Sequence, residues 1–236
     1  MFKKYGFFSA ILISCFCFSV ACQKQTSLEP DPEIPDPLII EEDQPVTDFD
    51  GNVYQTIKIG DQIWMAENLK STHYSNGTPI QCFCYNNDTA NVRTYGRLYR
   101  WADATTNPSS PKSNIGFIQG AAPVGWHIPS NAEWQRLIDY LGGNTTAGGK
   151  LKATGTDFWL SPNTGATNES KFNALPAGFY RVDGLFLSIG ERAIFMTATA
   201  ASAMAIRVRT LRYDSAEILG GDFHPQDAGS VRCVKD

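Results

Sequence analysis

The main part of this sequence lacks an excess of charge of either sign. Of its 20 basic and 24 acidic side chains, residues 1–45 hold three and seven, which leaves 17 of each for residues 46–236. A protein that binds nucleic acid needs a clustered basic surface to neutralise phosphates. We therefore exclude nucleic acid as a partner.

Motifs of metal and nucleotide chemistry are also missing. The three histidines stand far apart, without the spacing of metal ligands. No His-x-x-Glu-His, Gly-x-Ser-x-Gly, Gly-x-Gly-x-x-Gly or P-loop pattern occurs. Asp48, Asp50 and Asn52 have the spacing of a calcium loop, but no downstream Glu completes it, and a turn is the simpler interpretation. We predict no catalytic residue, no metal and no cofactor.

No apolar run is long enough to span a bilayer. The run from Phe7 to Val20 has fourteen residues, whereas a spanning helix needs roughly 20. Two lysines precede it and Ala21-Cys22 follows it, which predicts a signal peptide over residues 1–21. The Ala-Cys pair resembles the lipobox of bacterial lipoproteins, although Ser19 stands where Leu is usual. We predict that Cys22 is acylated and anchors the chain to the membrane; cleavage at Cys15, or a cleaved signal without lipid, are the alternatives.

Residues 22–45 lack the composition of a packed core. Five prolines and seven acids fall in this stretch, which favours an extended, disordered spacer. A lipid followed by a spacer predicts a lipoprotein of the cell envelope, placed at the outer membrane. Whether it faces the periplasm or the cell surface stays open.

The domain over residues 46–236 begins with a predicted β-hairpin. Apolar and polar residues alternate over 53–59, Gly60-Asp61 forms a turn, and "QIWMAE" returns as the partner strand. From residue 148 onward, turn signals every eight to twelve residues separate short aromatic and β-branched runs. These runs predict loops and antiparallel strands.

One clear helix is predicted over about 130–141. Ser130 is a good N-cap, Glu133 completes a capping box, and Gly142-Gly143 ends the helix. Its apolar residues share one face: Trp134, Leu137, Ile138 and Leu141. His127, just before the helix, is interpreted as a hydrogen-bonded scaffold residue, with a ligand or acid–base role as the alternative. One main amphipathic helix among short strands indicates an α+β fold.

Eight ordered segments of the chain resemble the Fibrobacter succinogenes major paralogous domain, which is common in lipoproteins of Bacteroidetes. They include "VTDFDGNVYQTIKIGDQIWMAENLK", "YGRLYRWADA", "APVGWHIPSNAEWQRLIDYLGG" and "SVRCVKD". The resemblance covers about residues 46–236. More distantly, "WHIPSNAEWQRL" and "SVRCV" are similar to segments of formylglycine-generating enzymes. That similarity implies a C-type-lectin-like fold with long loops on one side.

Two segments depart from the family pattern. Ala122 stands where the family often has a Cys, which removes the partner that the resemblance implies for Cys233. "IFMTATAAS" replaces a Trp-rich run, which implies altered recognition or a purely structural segment. In an exported protein, Cys82 or Cys84 is expected to pair with Cys233. We predict a disulfide between Cys84 and Cys233.

The residues best suited to recognition are aromatic, Asn and Asp side chains in loops. Ring faces cover the C–H surfaces of sugars, and amides and acids accept hydrogen bonds from hydroxyls. The predicted ligand-binding residues are Tyr85, Asn87, Asp88, Trp159, Tyr180 and Tyr213. Asn86 and Asn163 are further candidates. The Glu-Pro-Asn, Gln-Pro-Asp and Trp-Asn-Asp motifs of calcium-dependent lectins are absent, so calcium is not expected.

We therefore expect a lipid-anchored, non-catalytic binding domain whose partner is a glycan or an envelope or extracellular protein. A structural or adhesive component of a surface assembly is the alternative. An oxidoreductase of the formylglycine-generating type is the third hypothesis. It is disfavoured because those enzymes use paired cysteines late in the chain, whereas only Cys233 is late here.

Overall fold

The computed structural model describes Met1 and residues 40–106 and 117–236. All elements below belong to the unit Pro37–Asp236. The predicted signal peptide, Cys22 and the spacer up to residue 39 lie outside the described residues, apart from Met1. Within the described ranges, no helix combines the length and the hydropathy needed to cross a bilayer.

The described ranges contain twelve β-strands. They are β1 (Ile40–Thr47), β2 (Val53–Ile59), β3 (Gln62–Met65), β4 (Leu98–Arg100), β5 (Trp126–His127), β6 (Ala177–Tyr180), β7 (Phe186–Ile189), β8 (Arg192–Ser202), β9 (Ala205–Arg212), β10 (Ile218–Phe223), β11 (Ala228–Ser230) and β12 (Val234–Lys235). The helices in the same ranges are α1 (Ala90–Tyr95), α2 (Trp101–Thr105), α3 (Asn131–Tyr140), α4 (Asn144–Leu151) and a 3-10 helix (Tyr85–Asn87).

The strands form two sheets. The five-stranded sheet has the order β1-β2-β3-β12-β5, and the seven-stranded sheet has the order β10-β9-β8-β11-β6-β7 with β4 paired to β11. Most neighbours are antiparallel, but β8 runs parallel to both β6 and β11. Strands from distant parts of the sequence therefore meet at the centre of the larger sheet.

The predicted α+β fold with one main helix was wrong, because the described domain is mostly β. Helix α3 is ten residues long and the other helices are shorter. Several strands have only two to four residues, too few for alternation to appear in the sequence. Their pairing depends on tertiary packing, so the sequence pattern underestimated the β content.

Local predictions near the hairpin and the helix are confirmed. Strands β2 and β3 pair antiparallel across Gly60-Asp61. Helix α3 begins after Ser130, whose side chain accepts a hydrogen bond from the Glu133 N–H, while the Glu133 side chain accepts one from the Ser130 N–H. Trp134 on its inner face is fully buried. Both elements are specified by residues close together in sequence.

Strand β1 starts at Ile40, within the stretch predicted as spacer and six residues before the predicted boundary at residue 46. Strand β1 pairs with β2 from Ile40 onward, and Ile40 packs against the core. Two of its acids are neutralised, Glu41 by Lys58 at 3.3 Å and Asp43 by Lys235 at 2.9 Å. Charges on the outermost strand of a sheet also oppose pairing with other chains. The acidic stretch assigned to the spacer therefore ends as part of the sheet.

Buried side chains in the described ranges fall into three clusters. The first surrounds Trp64 and Trp134, whose ring centroids are 4.9 Å apart. The second contains Tyr54, Tyr99 and Cys233. The third is small: it comprises Tyr85, Leu98, Ala177 and Ala228, and partly exposed rings pack against it. This third cluster carries the candidate site.

Lys152 is a fully buried cation. Its Nζ donates hydrogen bonds of 2.9 Å to the carbonyl oxygens of Thr164, Arg212 and Ser215. It also lies 5.3 Å from the ring centroid of Trp159. Burial lowers the pKa of this ammonium to about 8. One side chain thus ties the loop near 164 to the segment after β9.

Candidate functional site

Three partly buried rings and the buried ring of Tyr85 form a continuous row at the third cluster. Phe83 and Tyr180 are stacked, with centroids 4.2 Å apart and planes 15° apart. Tyr180 lies 4.9 Å from Phe186, and Phe186 lies 5.4 Å from Tyr85. We call Phe83, Tyr85, Tyr180 and Phe186 the aromatic face. Such offset and tilted pairs are favoured by the ring quadrupoles and hold each other in place.

The β6–β7 hairpin positions two of the rings. Tyr180 and Phe186 are directly opposed across the antiparallel pair. Gly178 in β6 has φ +64, and a Cβ there would lie 2.3 Å from the carbonyl oxygen of Leu187. Only glycine allows this close approach of the two backbones. Phe83 reaches the row because its backbone pairs with Leu98 at the start of β4.

The loop around the 3-10 helix places two free amides beside the rings. Asn86 and Asn87 both adopt left-handed backbone conformations, with φ 55 and φ 57. Both side chains are exposed, and neither amide has a hydrogen-bond partner within residues 40–106 and 117–236. Asp88 differs, since its Oδ1 accepts a hydrogen bond from the Ala90 N–H at the start of α1. Asn tolerates the left-handed conformation that such turns require, and the turn leaves both amides open to solvent.

A guanidinium and two exposed apolar side chains border the aromatic face. Arg100 Cζ lies 5.0 Å from the Phe83 ring centroid, within the range of a cation–π contact. Its Nε donates to the carbonyl oxygen of Gln226, and it forms no ion pair with any carboxylate that the structure describes. At the hairpin turn, Val182 and Leu185 are 52% and 50% exposed. The border therefore offers positive charge and apolar surface.

The structure brings four of the predicted ligand-binding residues together and separates two from them. Tyr85, Asn87, Asp88 and Tyr180 lie at or beside the aromatic face. Trp159 is 1% exposed and donates through Nε1 to the carbonyl oxygen of Ala174 in the first core cluster. The turn-rich sequence around Trp159 predicts an exposed loop, so the burial of this side chain was not predicted.

Tyr213, the second separated residue, and the further candidate Asn163 are also outside the aromatic face. Tyr213 packs against the first core cluster. Asn163 is buried and donates through Nδ2 to the carbonyl oxygens of Ala153 and Gly155. Both stabilise the segment around Lys152 and lie away from the aromatic face.

Phe83 and Phe186 belong to the aromatic face but were not predicted. Phe83 stands between Cys82 and Cys84, and an aromatic residue in such an apolar stretch more often packs in a core than binds a ligand. Phe186 lies in "GLFLSIG", where two glycines bracket the apolar run. Turn residues at both ends of an apolar run are a strand signal, but the register that sets Phe186 opposite Tyr180 depends on the turn over residues 181–185.

The cysteines in the described ranges are free thiols. The structure shows no bond between Cys84 and Cys233, and their pairing stays a prediction. Cys82, and not Cys84, packs against the second core cluster, which contains Cys233 and Ala122. Burial raises the pKa of both the Cys82 and the Cys233 thiols. Neither is thereby activated as a nucleophile, because the thiolate is the reactive form.

Acid–base groups occur elsewhere on the domain. His73 Nδ1 lies 2.5 Å from Asp50 Oδ1, and the Asp50 carboxylate also accepts hydrogen bonds from the N–H and hydroxyl of Thr72. Asp48 closes the preceding turn by accepting from the Asn52 backbone and side chain, as the turn interpretation predicts. Within the described ranges, no three His, Cys, Asp or Glu side chains converge as a metal site.

Comparison with known proteins identifies one family. A family model described as Fibrobacter succinogenes major domain matches residues 57–235. The match includes the whole aromatic face, helix α3 and the closing strands. No curated protein and no solved structure matches the chain.

Proposed function

The chain belongs to the Fibrobacter succinogenes major domain family, and from that premise we propose that it is a lipid-anchored, non-catalytic binding domain of the cell envelope. We place the binding site at the aromatic face and assign it a glycan ligand. The observation that carries this proposal is the row of four rings beside two unpaired asparagine amides. Rings cover the apolar face of a sugar, and amides exchange hydrogen bonds with its hydroxyls.

The site is preorganised for such a ligand. The stacked Phe83 and Tyr180 rings are fixed by their neighbours, so binding does not require them to become ordered. Asn86 and Asn87, which follow Tyr85 directly in the 3-10 helix, have exposed side chains that are open to a ligand.

A protein partner is the second candidate at the same place. Val182 and Leu185 at the hairpin turn, together with exposed Phe158 and Leu160, add apolar surface. Exposed apolar surface of this kind marks protein contacts when it is continuous. It favours the structural or adhesive alternative, in which the domain packs against neighbours in an assembly.

A glycan array tests the proposal with the full chain in detergent. We expect binding to a subset of glycans, unchanged by calcium or chelator, and a loss of at least about tenfold in affinity for Tyr180→Ala. Tyr213→Ala, remote from the face, serves as the matched control. If no glycan binds, or if both variants weaken binding equally, the glycan assignment is wrong.

The lipid anchor has a separate test. Metabolic labelling with an alkynyl fatty acid should tag the wild-type chain and Cys15→Ala, but not Cys22→Ala. Label retained in Cys22→Ala would instead place the acylated residue at Cys15 or elsewhere. Fractionation of the same cells should recover the tagged protein with the outer membrane.

A further inference from the structure

A cleft separate from the aromatic face opens beside helix α1. Its volume is about 30 Å³, which is room for one or two water molecules or a group of that size. The walls come from the segment after β3, the end of α1 and the loop before β6. The polar side chains that line it are Glu67, Asn68, Lys70, Thr94, Asn173 and Arg232.

Arg232 forms the floor of this cleft and is 1% exposed. Its Nε donates to Asn68 Oδ1 at 2.9 Å, its Nη2 donates to the Asn173 carbonyl oxygen at 3.1 Å, and its Nη1 donates to the Phe172 carbonyl oxygen. A guanidinium has five N–H groups, so two have no acceptor in the part of the chain that the structure describes. No described carboxylate lies within ion-pair distance of it.

The buried cation therefore has only neutral acceptors. Two backbone carbonyls and one amide oxygen contact it, and the Phe172 ring lies 4.1 Å from its Cζ. A buried charge is normally matched by an opposite charge because desolvation is costly. Glu67 at the rim is the described charge that acts on Arg232, and the small edge of Arg232 that lines the cleft has no ion-pair partner among the described residues.

The rim of the cleft supplies further donors. Lys70 Nζ lies 2.6 Å from Glu67 Oε2, so the one carboxylate at the rim is held by the one ammonium. The Thr94 hydroxyl and the Asn173 side-chain amide have no partner among the described residues. Arg232, Lys70 and Glu67 together leave one net positive charge in the cleft.

We propose that this cleft binds a carboxylate group, with Arg232 as its fixed donor and Lys70 as its charged rim. A planar guanidinium with two free N–H groups matches a carboxylate in shape and charge. A phosphate dianion fits less well, since the net charge is a single positive one. The carboxylate belongs either to an acidic sugar or to the C-terminus of a peptide.

The test uses the isotope-labelled full chain in detergent at constant ionic strength. Amide and Arg232 Nε–H shifts are followed while D-glucuronate, its methyl ester, a short peptide and its C-terminal amide are added separately. We expect the acid of at least one pair to shift the signals of residues 67–70, 173 and 232, and its neutral counterpart not to do so. The pair that responds identifies the source of the carboxylate.

Two substitutions at the rim of the cleft should change the affinity for the carboxylate in opposite directions. Glu67→Gln removes the competing carboxylate and frees Lys70, so affinity should rise about fivefold. Lys70→Gln should lower affinity by about the same factor. Lys150→Gln, which alters a Lys–Glu pair elsewhere (Lys150 with Glu169, 3.6 Å), should change nothing.

Arg232→Lys tests the floor directly, but a buried variant of this kind can prevent folding. In that case the Glu67→Gln and Lys70→Gln variants provide the test of the proposal, because the side chains of Glu67 and Lys70 are partly exposed. Equal shifts with acid and neutral ligand, no shifts with any of the four, or equal affinities in Glu67→Gln and Lys70→Gln would each overturn the proposal. Loss of glycan binding in Tyr180→Ala leaves it unaffected, since Tyr180 does not line the cleft.

Discussion

His127 Nδ1 lies 2.8 Å from Asp236 Oδ1, while its Nε2 lies 2.7 Å from Glu133 Oε1. One buried imidazole therefore joins β5 to the capping box of α3 and to the residue after β12. The Phe117 ring stacks on it with a centroid distance of 4.1 Å. Two acceptors on the two ring nitrogens favour the doubly protonated, charged form.

The stability of the domain should therefore depend on the protonation of His127. Burial lowers its pKa, but hydrogen bonds to Glu133 and then to Asp236 outweigh burial, and the pKa is raised above the ordinary 6.5. The stabilisation is complete below the unfolded pKa and is lost as pH rises through the raised folded pKa. The same contacts lower the pKa of Glu133 despite its burial, so its contribution is lost only at acidic pH.

His127→Gln should remove most of this pH dependence and about 2 kcal/mol of stability near pH 6. Urea unfolding of wild type and variant from about pH 6 to about pH 9 measures both effects. The difference between the two proteins should shrink as pH rises. His224→Gln, at an exposed histidine whose Nδ1 accepts from the Gln226 N–H, is the control. A difference that stays constant with pH would show that His127 contributes only packing.

Lys152 should be among the most sensitive positions of the domain. Lys152→Met keeps the length of the side chain but leaves three buried carbonyl groups without their donor, which costs about 3 kcal/mol or more. Lys150→Met, two residues earlier in the last turn of α4, changes a partly exposed ammonium and should cost less than about 1 kcal/mol. Thermal and urea unfolding of the two variants compare them directly. Equal losses would mean that the three carbonyls find other partners.

The parts of the fold that the sequence predicted are those set by neighbouring residues. The capping box of α3 and the Gly60-Asp61 hairpin depend on side chains and dihedral angles within a few positions. The parallel pairings of β8 with β6 and β11 depend on residues far apart in sequence. Strands of two to four residues carry no periodic signal of their own, and for that reason the fold class was wrong.

The candidate site was predicted in part for the same reason. Tyr85 and Asn87 stand in a turn-rich stretch, and turn residues mark exposed loops. Trp159 stands in a similar stretch, yet its loop folds inward over Lys152. Lys152 and Arg232 are charged, so composition alone places them at the surface. Their burial becomes apparent only when the carbonyl groups that surround them are known.

Position 122 offers a test of the cysteine chemistry. Ala122 and Cys233 are both fully buried and belong to the second core cluster. We expect Ala122→Cys to form a disulfide with Cys233 when the protein is folded under oxidising conditions, and to gain about 2–4 kcal/mol of stability. Peptide mapping without reductant identifies the bond.

The same mapping of the wild type decides whether Cys84 pairs with Cys233. Ala122→Cys combined with Cys233→Ser is the control and should gain no stability. A bond from Cys233 to Cys82 in either protein would contradict the predicted pairing. It would instead agree with the packing of Cys82 against the second core cluster.

Substitution of Asn87 should distinguish the contribution of its backbone conformation to stability from the contribution of its side-chain amide to binding. Asn87 has φ 57, a conformation that costs an alanine roughly 1 kcal/mol and a glycine little. Asn87→Ala should therefore lose about 1 kcal/mol of stability, while Asn87→Gly should be nearly neutral. Both variants remove the amide beside the aromatic face, so both should weaken glycan binding by about the same factor. Unfolding curves and array titrations measured on the same samples provide the comparison. Glycan binding retained in Asn87→Gly but not in Asn87→Ala would show that the loop conformation matters and the amide does not.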